Sequence, residues 1–345
     1  MLISIIIPAY NLESQITETL ISLVNQTNND FEIIVIDDGS TDNTYNVALS
    51  VLKDCSFCNF SVLTQKNCGV SQARNVGISK SKGEYIFFLD GDDYVSKDLV
   101  QTIKTHVDKT DEKLDVICWG YSKVNSDGVE TLNYFKRYAD ETIVIKGIEV
   151  IEKIALEKSL SIAVGSAVYS KELLKKHGIS YTVGCKSGED QEFSIKVLAK
   201  SDNVLFINKT LSYYVSRKNS ISNSYNVNKF DAVHAMESIS KYLLAQGEEY
   251  SSLSHNFGND KLIESYLVNY SSCLQNMDNK NTSQLNNEIE RKYPGLNKKV
   301  LKMMRSNNFH DKQLIMKIIL FQIHPKLFNF ILNSNIRKKL KFRKL

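Results

Sequence analysis

The first 90 residues alternate between short apolar runs and segments whose apolar residues recur every three or four positions. The apolar runs are rich in branched and aromatic residues, which is typical of strands buried on both faces of a sheet. The predicted strands are 2–7, 31–36, 60–63 and 85–89, and the predicted helices are 14–24, 42–52 and 71–79. This alternation predicts an α/β fold with a mostly parallel, doubly wound, Rossmann-like sheet.

Polar residues follow each predicted strand, at Tyr10–Asn11, Asp37–Asp38, Gln65–Asn67 and Asp90–Asp93. The carboxyl ends of the strands in such a sheet converge on one crevice, where ligands bind. The last turn carries three carboxylates in four residues. They repel one another unless a cation lies among them, so the turn is a candidate site for a divalent ion and a phosphate. The alternative is an acidic turn whose Asp93 caps the next helix.

The pattern continues with further strands and helices and then becomes helical. Predicted helices are 97–107, 147–156, 171–176 and 193–199, and predicted strands are 116–119, 162–169, 204–207 and 211–215, with a hairpin at 121–134. From about residue 229 the spacing indicates helices alone. We therefore expect an α/β domain over 1–224 and a helical, basic region over 225–345.

Composition indicates a globular protein of the reducing compartment. Hydrophobic residues make up 42% of the 345 residues and charged residues 24%. No run of 18 apolar residues and no signal peptide are apparent, so we expect no membrane span. The six cysteines are scattered, and the Cys55-x-x-Cys58 pair has no second pair at zinc spacing. We expect free thiols and a cytoplasmic protein.

The net charge of +4 hides a basic C-terminus. From Arg291 onward there are 15 Lys or Arg and one acid, Asp311. Apolar residues lie between the charges: Leu314, Ile315, Ile318, Ile319, Phe321, Ile323, Leu327, Phe328, Phe330 and Ile331. Such helices lie on anionic bilayers, so we expect a peripheral membrane surface as a partner, or else helices packed on the body with a solvated basic face. No RNA or DNA motif is present, and we expect no nucleic acid partner.

Five motifs in order resemble those of a family-2 inverting glycosyltransferase with the GT-A fold, of the bacterial capsule, O-antigen or exopolysaccharide type. They are SIIIPAYN at 4–11, VIDDGSTD at 35–42, NCG at 67–69 with ARNVG at 73–77, FLDGDD at 88–93, and GED at 188–190. They cover about the first 220 residues and leave the helical third unmatched. The resemblance implies transfer of a hexose or N-acetylhexosamine from a UDP-sugar to a hydroxyl of a glycan or lipid-linked saccharide, in cell-surface polysaccharide synthesis.

The same resemblance implies a set of site residues. Tyr10 would stack on the base, Asp38 would accept from a base N–H, and Asp92 would hold Mn²⁺ or Mg²⁺ beside the diphosphate. Asp90 would contact the ribose, or the ion through water. The residues expected to bind the donor are Pro8, Ala9, Tyr10, Glu13, Asp38, Asn67, Arg74, Asp90, Gly91 and Arg217. Three alternatives stay open: Arg74 could form a surface salt bridge, Asn67 could be a turn residue, and Arg217 could lie in a solvated hairpin.

Asp190 is the candidate general base, since an acceptor hydroxyl must lose its proton as the new bond forms. Glu189 is the second candidate, because neighbouring carboxylates raise each other's pKa and can exchange roles. Either acid could also cap the helix that follows.

Other function classes fit less well. A sugar-nucleotide pyrophosphorylase needs a glycine-rich basic loop after the first strand, and a NAD-binding protein needs G-x-G-x-x-G there. Pro8–Asn11 provides neither. A non-catalytic nucleotide-sugar-binding subunit would keep Asp38 and Asp92 but would need no base.

Overall fold

The computed structural model describes residues 1–55, 57–133, 143–216, 224–277, 281–306, 309 and 311–333. The chain forms two compact units, one of Met1–Cys185 with Glu189–Arg217 and one of Lys186–Gly188 with Lys218–Leu345. The first unit is α/β and the second is helical. In this division the second unit begins at Lys218, and the short segment Lys186–Gly188 also belongs to it. The boundary expected near residue 224 stays a prediction.

The first unit is built on one sheet. Its described strands are β1 Ile3–Ala9, β2 Phe31–Asp37, β3 Phe60–Thr64, β4 Tyr85–Phe88, β5 Tyr94–Val95, β6 Val116–Val124, β7 Glu130–Asn133, β8 Ile143–Ile145, β9 Ala167–Ser170 and β10 Val204–Val215. The sheet order is β3-β2-β1-β4-β9-β6-β10-β5, with β7 paired to β6 and β8 to β10. β1 runs parallel to β2 and β4, and β9 runs antiparallel to β4 and β6. The predicted α/β class is confirmed.

Seven helices flank this sheet in the described residues of the first unit. They are α1 Ile16–Val24, α2 Thr44–Asp54, α3 Val70–Lys80, α4 Leu99–Asp108, α5 Gly147–Ala155, α6 Lys171–His177 and α7 Glu189–Leu198. β1, β2 and β4 are buried along their whole length, as continuous apolar strands covered on both faces must be. Helix α3 lies very close to β1, because a Cβ on Gly77 would be 2.3 Å from Ile6 Cγ2.

The second unit contains helices α8 Asp231–Leu244, α9 Ser251–Asn256, α10 Leu262–Gln275, α11 Thr282–Lys292, α12 Leu296–Ser306, α13 Lys312–Ile323 and α14 Pro325–Asn333. A π-helical turn, Phe257–Lys261, joins α9 to α10. Aromatic rings of Tyr266, Tyr270, Phe321 and Phe328 meet edge to face in its core. None of the helices in the described ranges has both the length and the apolarity needed to cross a bilayer.

The structure corrects several local predictions. Helix α1 begins after Gln15 without a side-chain cap, so Ser14 is not its cap. Asp93 does not cap a helix either, since it precedes β5 and its Oδ1 accepts a hydrogen bond from the Val215 N–H at 2.9 Å. The two strands predicted at 204–207 and 211–215 form one strand, β10, whose register against β6 shifts twice.

The predicted strand 162–169 is also shorter than expected. Residues Val164–Ser166 form a 3₁₀ turn, in which the Ser166 hydroxyl donates to the Ala163 carbonyl at 3.0 Å. This local hydrogen bond competes with strand pairing, so β9 begins only at Ala167.

Candidate active site

The loop after β1 is braced against the loop after β2. The Asn11 N–H donates to Ser40 Oγ at 3.0 Å and the Leu12 N–H donates to Thr44 Oγ1 at 2.7 Å. Glu13 Oε2 accepts from the Asn43 N–H at 2.9 Å. Glu13 therefore joins the two loops, and its predicted contact with the donor stays a prediction.

Asp38 lies at the end of β2 and holds the loop that leads into α3. Its Oδ1 accepts from Gln65 Nε2 at 2.7 Å and from the Cys68 N–H at 2.9 Å, and its Oδ2 accepts from the Gly69 N–H at 2.8 Å. Asp37 accepts from the Ser40 N–H and the Thr64 hydroxyl. Asp38 thus shapes the N-terminus of α3, and the predicted base contact would come in addition to these bonds.

The residues that end β1 form the floor of this region. Pro8 and Ala9 pair with Ile36 and Asp37 of β2. The Tyr10 side chain that follows is 48% exposed, which leaves its ring accessible to a base.

The turn after β4 packs against the loop after β1. A Cβ on Gly91 would lie 2.8 Å from Leu12 Cδ1 and 3.3 Å from the Pro8 carbonyl oxygen, so a side chain there would push the two loops apart. Asn67 is exposed, and its backbone N would lie 2.9 Å from a Cβ on Gly39. Arg217 lies outside the described residues.

Arg74, on α3, is the centre of a charge cluster. Its Nη2 bonds Asp90 Oδ1 at 2.9 Å, its Nη1 donates to Asp190 Oδ1, and Glu189 Oε1 lies 3.7 Å from Nη1. The side chain is only 3% exposed, which excludes a surface salt bridge. One guanidinium therefore brings the end of β4 together with the first turn of α7, and it joins two of the predicted motifs.

The ARNVG motif of α3 explains how Arg74 is positioned. Asn75 donates to the Tyr181 carbonyl and accepts from the Tyr181 N–H, both at 2.9 Å. The Tyr181 ring lies 5.0 Å from the Arg74 guanidinium carbon and stacks on Phe193 of α7 at 4.2 Å. Tyr181 was not among the predicted site residues, because nothing in the sequence distinguishes it from other tyrosines.

The ionisation of this cluster is unusual. Burial would lower the pKa of Arg74, but the carboxylates of Asp190, Asp90 and Glu189 raise it above its ordinary value. Burial raises the pKa of Glu189 to about 7, and the neighbouring Asp190 adds to the rise. The pKa of Asp190 is raised as well: the protein around its partly exposed side chain desolvates the carboxylate and Asp90 adds to the rise, while Arg74 opposes it. The pKa values of both neighbouring acids are therefore raised, and the two carboxyl groups titrate as a coupled pair.

We expect Glu189→Gln to move the acid limb of the kcat/KM profile to lower pH by about one unit. In the wild type Glu189 takes up a proton as the pH falls through about 7, and proton exchange between the coupled acids then neutralises the base. With only Asp90 and Asp190 left beside Arg74, Asp190 ionises at lower pH, so activity persists there. The measurement is kcat/KM against pH, with the exposed Glu172→Gln as control.

Loss of nearly all turnover in Glu189→Gln would contradict this assignment and would make Glu189 the base. An unchanged acid limb would show that the pair does not control the profile.

A cavity of about 350 Å³ opens beside the cluster. Asp90 and Asp190 lie in its wall, and four tyrosines, Tyr94, Tyr121, Tyr213 and Tyr214, also line it. The Asp190 side chain is 38% exposed. Sequence reasoning did not identify this cavity, because its four tyrosines come from β5, β6 and β10, where they follow no local motif.

Several buried polar atoms at this site have no hydrogen-bond partner. Seven such side-chain atoms occur in the described ranges, and four of them lie on the loop after β3, on α3 and on the Tyr181 segment: Gln65 Oε1, Ser71 Oγ, Arg74 Nε and Tyr181 Oη. Buried polar groups are normally satisfied, so this concentration points to a polar ligand that would complete them.

A divalent cation fits the turn after β4 only if a bound diphosphate supplies part of its coordination. Asp92 is half-buried in that turn, next to Asp90. Within the described part of the chain, no three His, Cys, Asp or Glu side chains are grouped to hold a metal alone. Mg²⁺ commonly takes one or two carboxylates plus phosphate oxygens. Asp90 and Asp92 therefore match a cation bound jointly with a diphosphate.

Comparison with known proteins agrees with this geometry. The family model "Glycosyl transferase family 2" matches residues 4–178. The uncharacterized glycosyltransferase EpsJ of Bacillus subtilis is 31% identical over 223 residues, which are 64% of this chain and 63% of EpsJ. The glycosyltransferase GlyA of Streptococcus pneumoniae is 31% identical over 228 residues, 64% of this chain but 31% of GlyA. The chain thus matches less than two thirds of the length of either relative.

Solved structures show the same fold. The crystal structure of Staphylococcus aureus TarS 1–349 in complex with UDP-GlcNAc has a TM-score of 0.65 at 22% identity, covering 99% of this chain and 93% of that one. The TarS 1–349 complex with UDP has a TM-score of 0.61 at 22% identity, with 88% of each chain covered. The family match spans half of the chain and includes β2 to β9, nearly all of β1 and the Arg74 helix, while β10 lies beyond it. The chain belongs to glycosyltransferase family 2 and has the GT-A fold.

Proposed function

We propose that the protein is an inverting glycosyltransferase that moves a hexose or N-acetylhexosamine from a UDP-sugar to a hydroxyl of a glycan or lipid-linked saccharide. One observation carries the proposal: Arg74 gathers Asp90, Glu189 and Asp190 beside a cavity of about 350 Å³. Folding alone does not require a buried guanidinium paired with three carboxylates. Groups with shifted pKa values cluster at functional sites.

The donor would lie over the ends of β1, β2 and β4. Tyr10 offers a ring, and Ser71 and Arg74 offer polar atoms that lack partners inside the protein. Structures of TarS, a protein of the same fold, contain UDP and UDP-GlcNAc. These observations support a uridine diphosphate sugar as the donor class.

The acceptor would enter the tyrosine-lined cavity. Asp190 takes the proton of its hydroxyl while the oxygen forms a bond to the anomeric carbon and the bond to the diphosphate breaks. Attack from the side opposite the leaving group inverts the anomeric configuration. A cation on Asp90 and Asp92, when bound, would stabilise the negative charge of the departing diphosphate. Arg74 orients Asp190 through the bond from Nη1.

A non-catalytic nucleotide-sugar-binding subunit is the second candidate. It would account for the loops around Asp38, but it gives no reason for two neighbouring acids with raised pKa values beside a buried guanidinium. A sugar-nucleotide pyrophosphorylase would belong to a different family from the one matched here.

The direct test measures thermal unfolding and hydrolysis with UDP-Glc, UDP-Gal, UDP-GlcNAc and UDP-GalNAc, each with and without Mn²⁺. We expect one of them to raise Tm and to release UDP slowly, because a bound ligand stabilises the folded state. A protein that responds to none of the four would contradict the proposal. A protein that binds one of them but transfers nothing to any acceptor would favour the subunit.

We expect Asp92→Ala to abolish the Mn²⁺-dependent part of UDP binding. The change removes one of the two carboxylates that would share the cation with the diphosphate. Calorimetry with UDP and Mn²⁺ measures it, with Asp127→Ala, in the exposed β6–β7 turn, as a control. Wild-type affinity in Asp92→Ala would remove Asp92 from the metal site.

We also propose that the enzyme works in the cytoplasm, at an anionic membrane surface. All six cysteines are free thiols, as a reducing compartment allows. Beyond Asp311 the chain contains nine Lys or Arg and no acid, which suits an anionic partner.

A further inference from the structure

Helices α13 and α14 each have an inner face that packs within the helical unit. On α13 the buried residues are Leu314, Lys317, Ile318 and Phe321. Phe321 meets the rings of Tyr266, Tyr270 and Phe328, and Lys317 Nζ bonds Glu264 Oε1 at 2.9 Å. These contacts anchor both helices in the unit.

Their opposite faces are also apolar but are exposed. We call this set the outer face: Met316, Ile319 and Ile323 of α13, with Leu327 and Phe330 of α14. Their exposed fractions run from 39% to 66%. At 100° per residue, the three residues on α13 point directly away from its buried side, and the two on α14 do the same. A helix that is apolar all round is normally covered on every side.

We infer that the outer face is a membrane-docking face that enters the headgroup region of an anionic lipid bilayer. This inference rests on the membrane partner proposed above and names the side chains that would make the contact. It is independent of the catalytic residues.

The positive charge of the segment from Lys312 onward favours an anionic bilayer as the partner of the outer face. Lys312 and Lys326, at the starts of the two helices, are exposed, and no acid occurs from Lys312 to the end of the chain. Basic charge beside an apolar helix face is the combination that binds anionic bilayers. A second copy of this chain would place two basic segments against each other, which like-charge repulsion opposes.

The experiment is flotation of the full chain with vesicles of phosphatidylcholine, with and without phosphatidylglycerol, at low and high salt. We expect the wild type to float only with the anionic lipid and more weakly at high salt. Ile319→Glu and Phe330→Glu, made separately, should each lower the bound fraction about tenfold or more, since a carboxylate must then enter the lipid.

Leu244→Glu is the matched control, because Leu244 is an equally exposed leucine on α8 of the same unit and takes the same change of charge. Point changes are preferable to removal of residues 312–345, because removal would also take Phe321 and Lys317 out of the core. Unchanged helical circular dichroism and unchanged UDP-induced stabilisation confirm that each variant is folded.

The outcomes separate the two proposals. If the wild type does not float, the membrane partner is wrong, and UDP-sugar turnover without vesicles still tests the catalytic proposal. If it floats and Ile319→Glu and Phe330→Glu float equally well, basic charge alone binds the lipid and the outer face is not the docking face. Self-association that Ile319→Glu abolishes, without lipid binding, would overturn the inference in favour of a second copy.

Discussion

Asp190→Asn is expected to lower turnover by about 10²- to 10⁴-fold while UDP still binds. Asparagine keeps the shape of the side chain and can still accept a bond from Arg74 Nη1, but it cannot take the acceptor proton. The loss corresponds to about 3–5 kcal/mol of activation free energy. Single-turnover transfer and calorimetry with UDP, on the same preparation, separate the chemical step from binding.

The control is Asp98→Asn, since Asp98 is paired with Lys209 and is not among the residues that line the cavity. It should keep wild-type turnover. Near-normal transfer by Asp190→Asn would move the base to Glu189, and the pH profile of Glu189→Gln would then show the loss instead. A loss of UDP binding together with turnover would indicate that Asp190 organises the donor site.

Arg74→Ala is expected to destabilise the fold by about 2–4 kcal/mol at pH 8, because three carboxylates lose their shared counter-charge. The expected loss lies below that of a fully buried pair, since Asp90 and Asp190 retain 35% and 38% exposure and can be hydrated. Urea unfolding at several pH values measures it. The stability of Arg74→Lys should lie between those of the wild type and Arg74→Ala, because an ammonium cannot reach all three acids in the geometry of a guanidinium.

The pH dependence of this loss has a definite sign. Without Arg74 the pKa values of Glu189 and Asp190 rise further, so these two acids take up protons as the pH falls and their repulsion ends. The destabilisation by Arg74→Ala should therefore be smaller at pH 5 than at pH 8. Arg305→Ala, on the exposed end of α12, should change stability little at either pH. A penalty that is equal at both pH values would mean that packing, and not charge, accounts for it.

The sheet and its motifs were accessible from the sequence because their signals are local. Each strand from β1 to β4 is a short apolar run, and each functional turn follows directly, so register and placement come from neighbours in the chain. The fold followed from that spacing, and the family from the resemblance of the motifs. Arg74 and Asp190 are 116 residues apart; the resemblance assigned both to one site, but their pairing was not predicted.

The parts that were not predicted depend on contacts distant in sequence. Tyr181 contributes through its ring and through backbone bonds to Asn75, neither of which leaves a pattern in the residues around it. β5 is two residues long, and its pairing with β10 is what places Tyr94 on Tyr213 in the cavity wall. The sequence also does not show which face of α13 and α14 is buried, because apolar residues occur on both faces. The structure was needed to tell them apart.

The close contact between Gly77 and Ile6 fixes the distance between α3 and β1, and with it the position of Arg74 in the active site. One hydrogen in place of a methyl group lets α3 sit against β1, and Arg74 lies on that same helix, nearly one turn before the glycine. An alanine at position 77 would push α3 away from β1. The Arg74 guanidinium would then move away from the acids of α7, although those acids are unchanged. Gly77 has no functional group, yet it determines how close Arg74 lies to the acids with which it pairs.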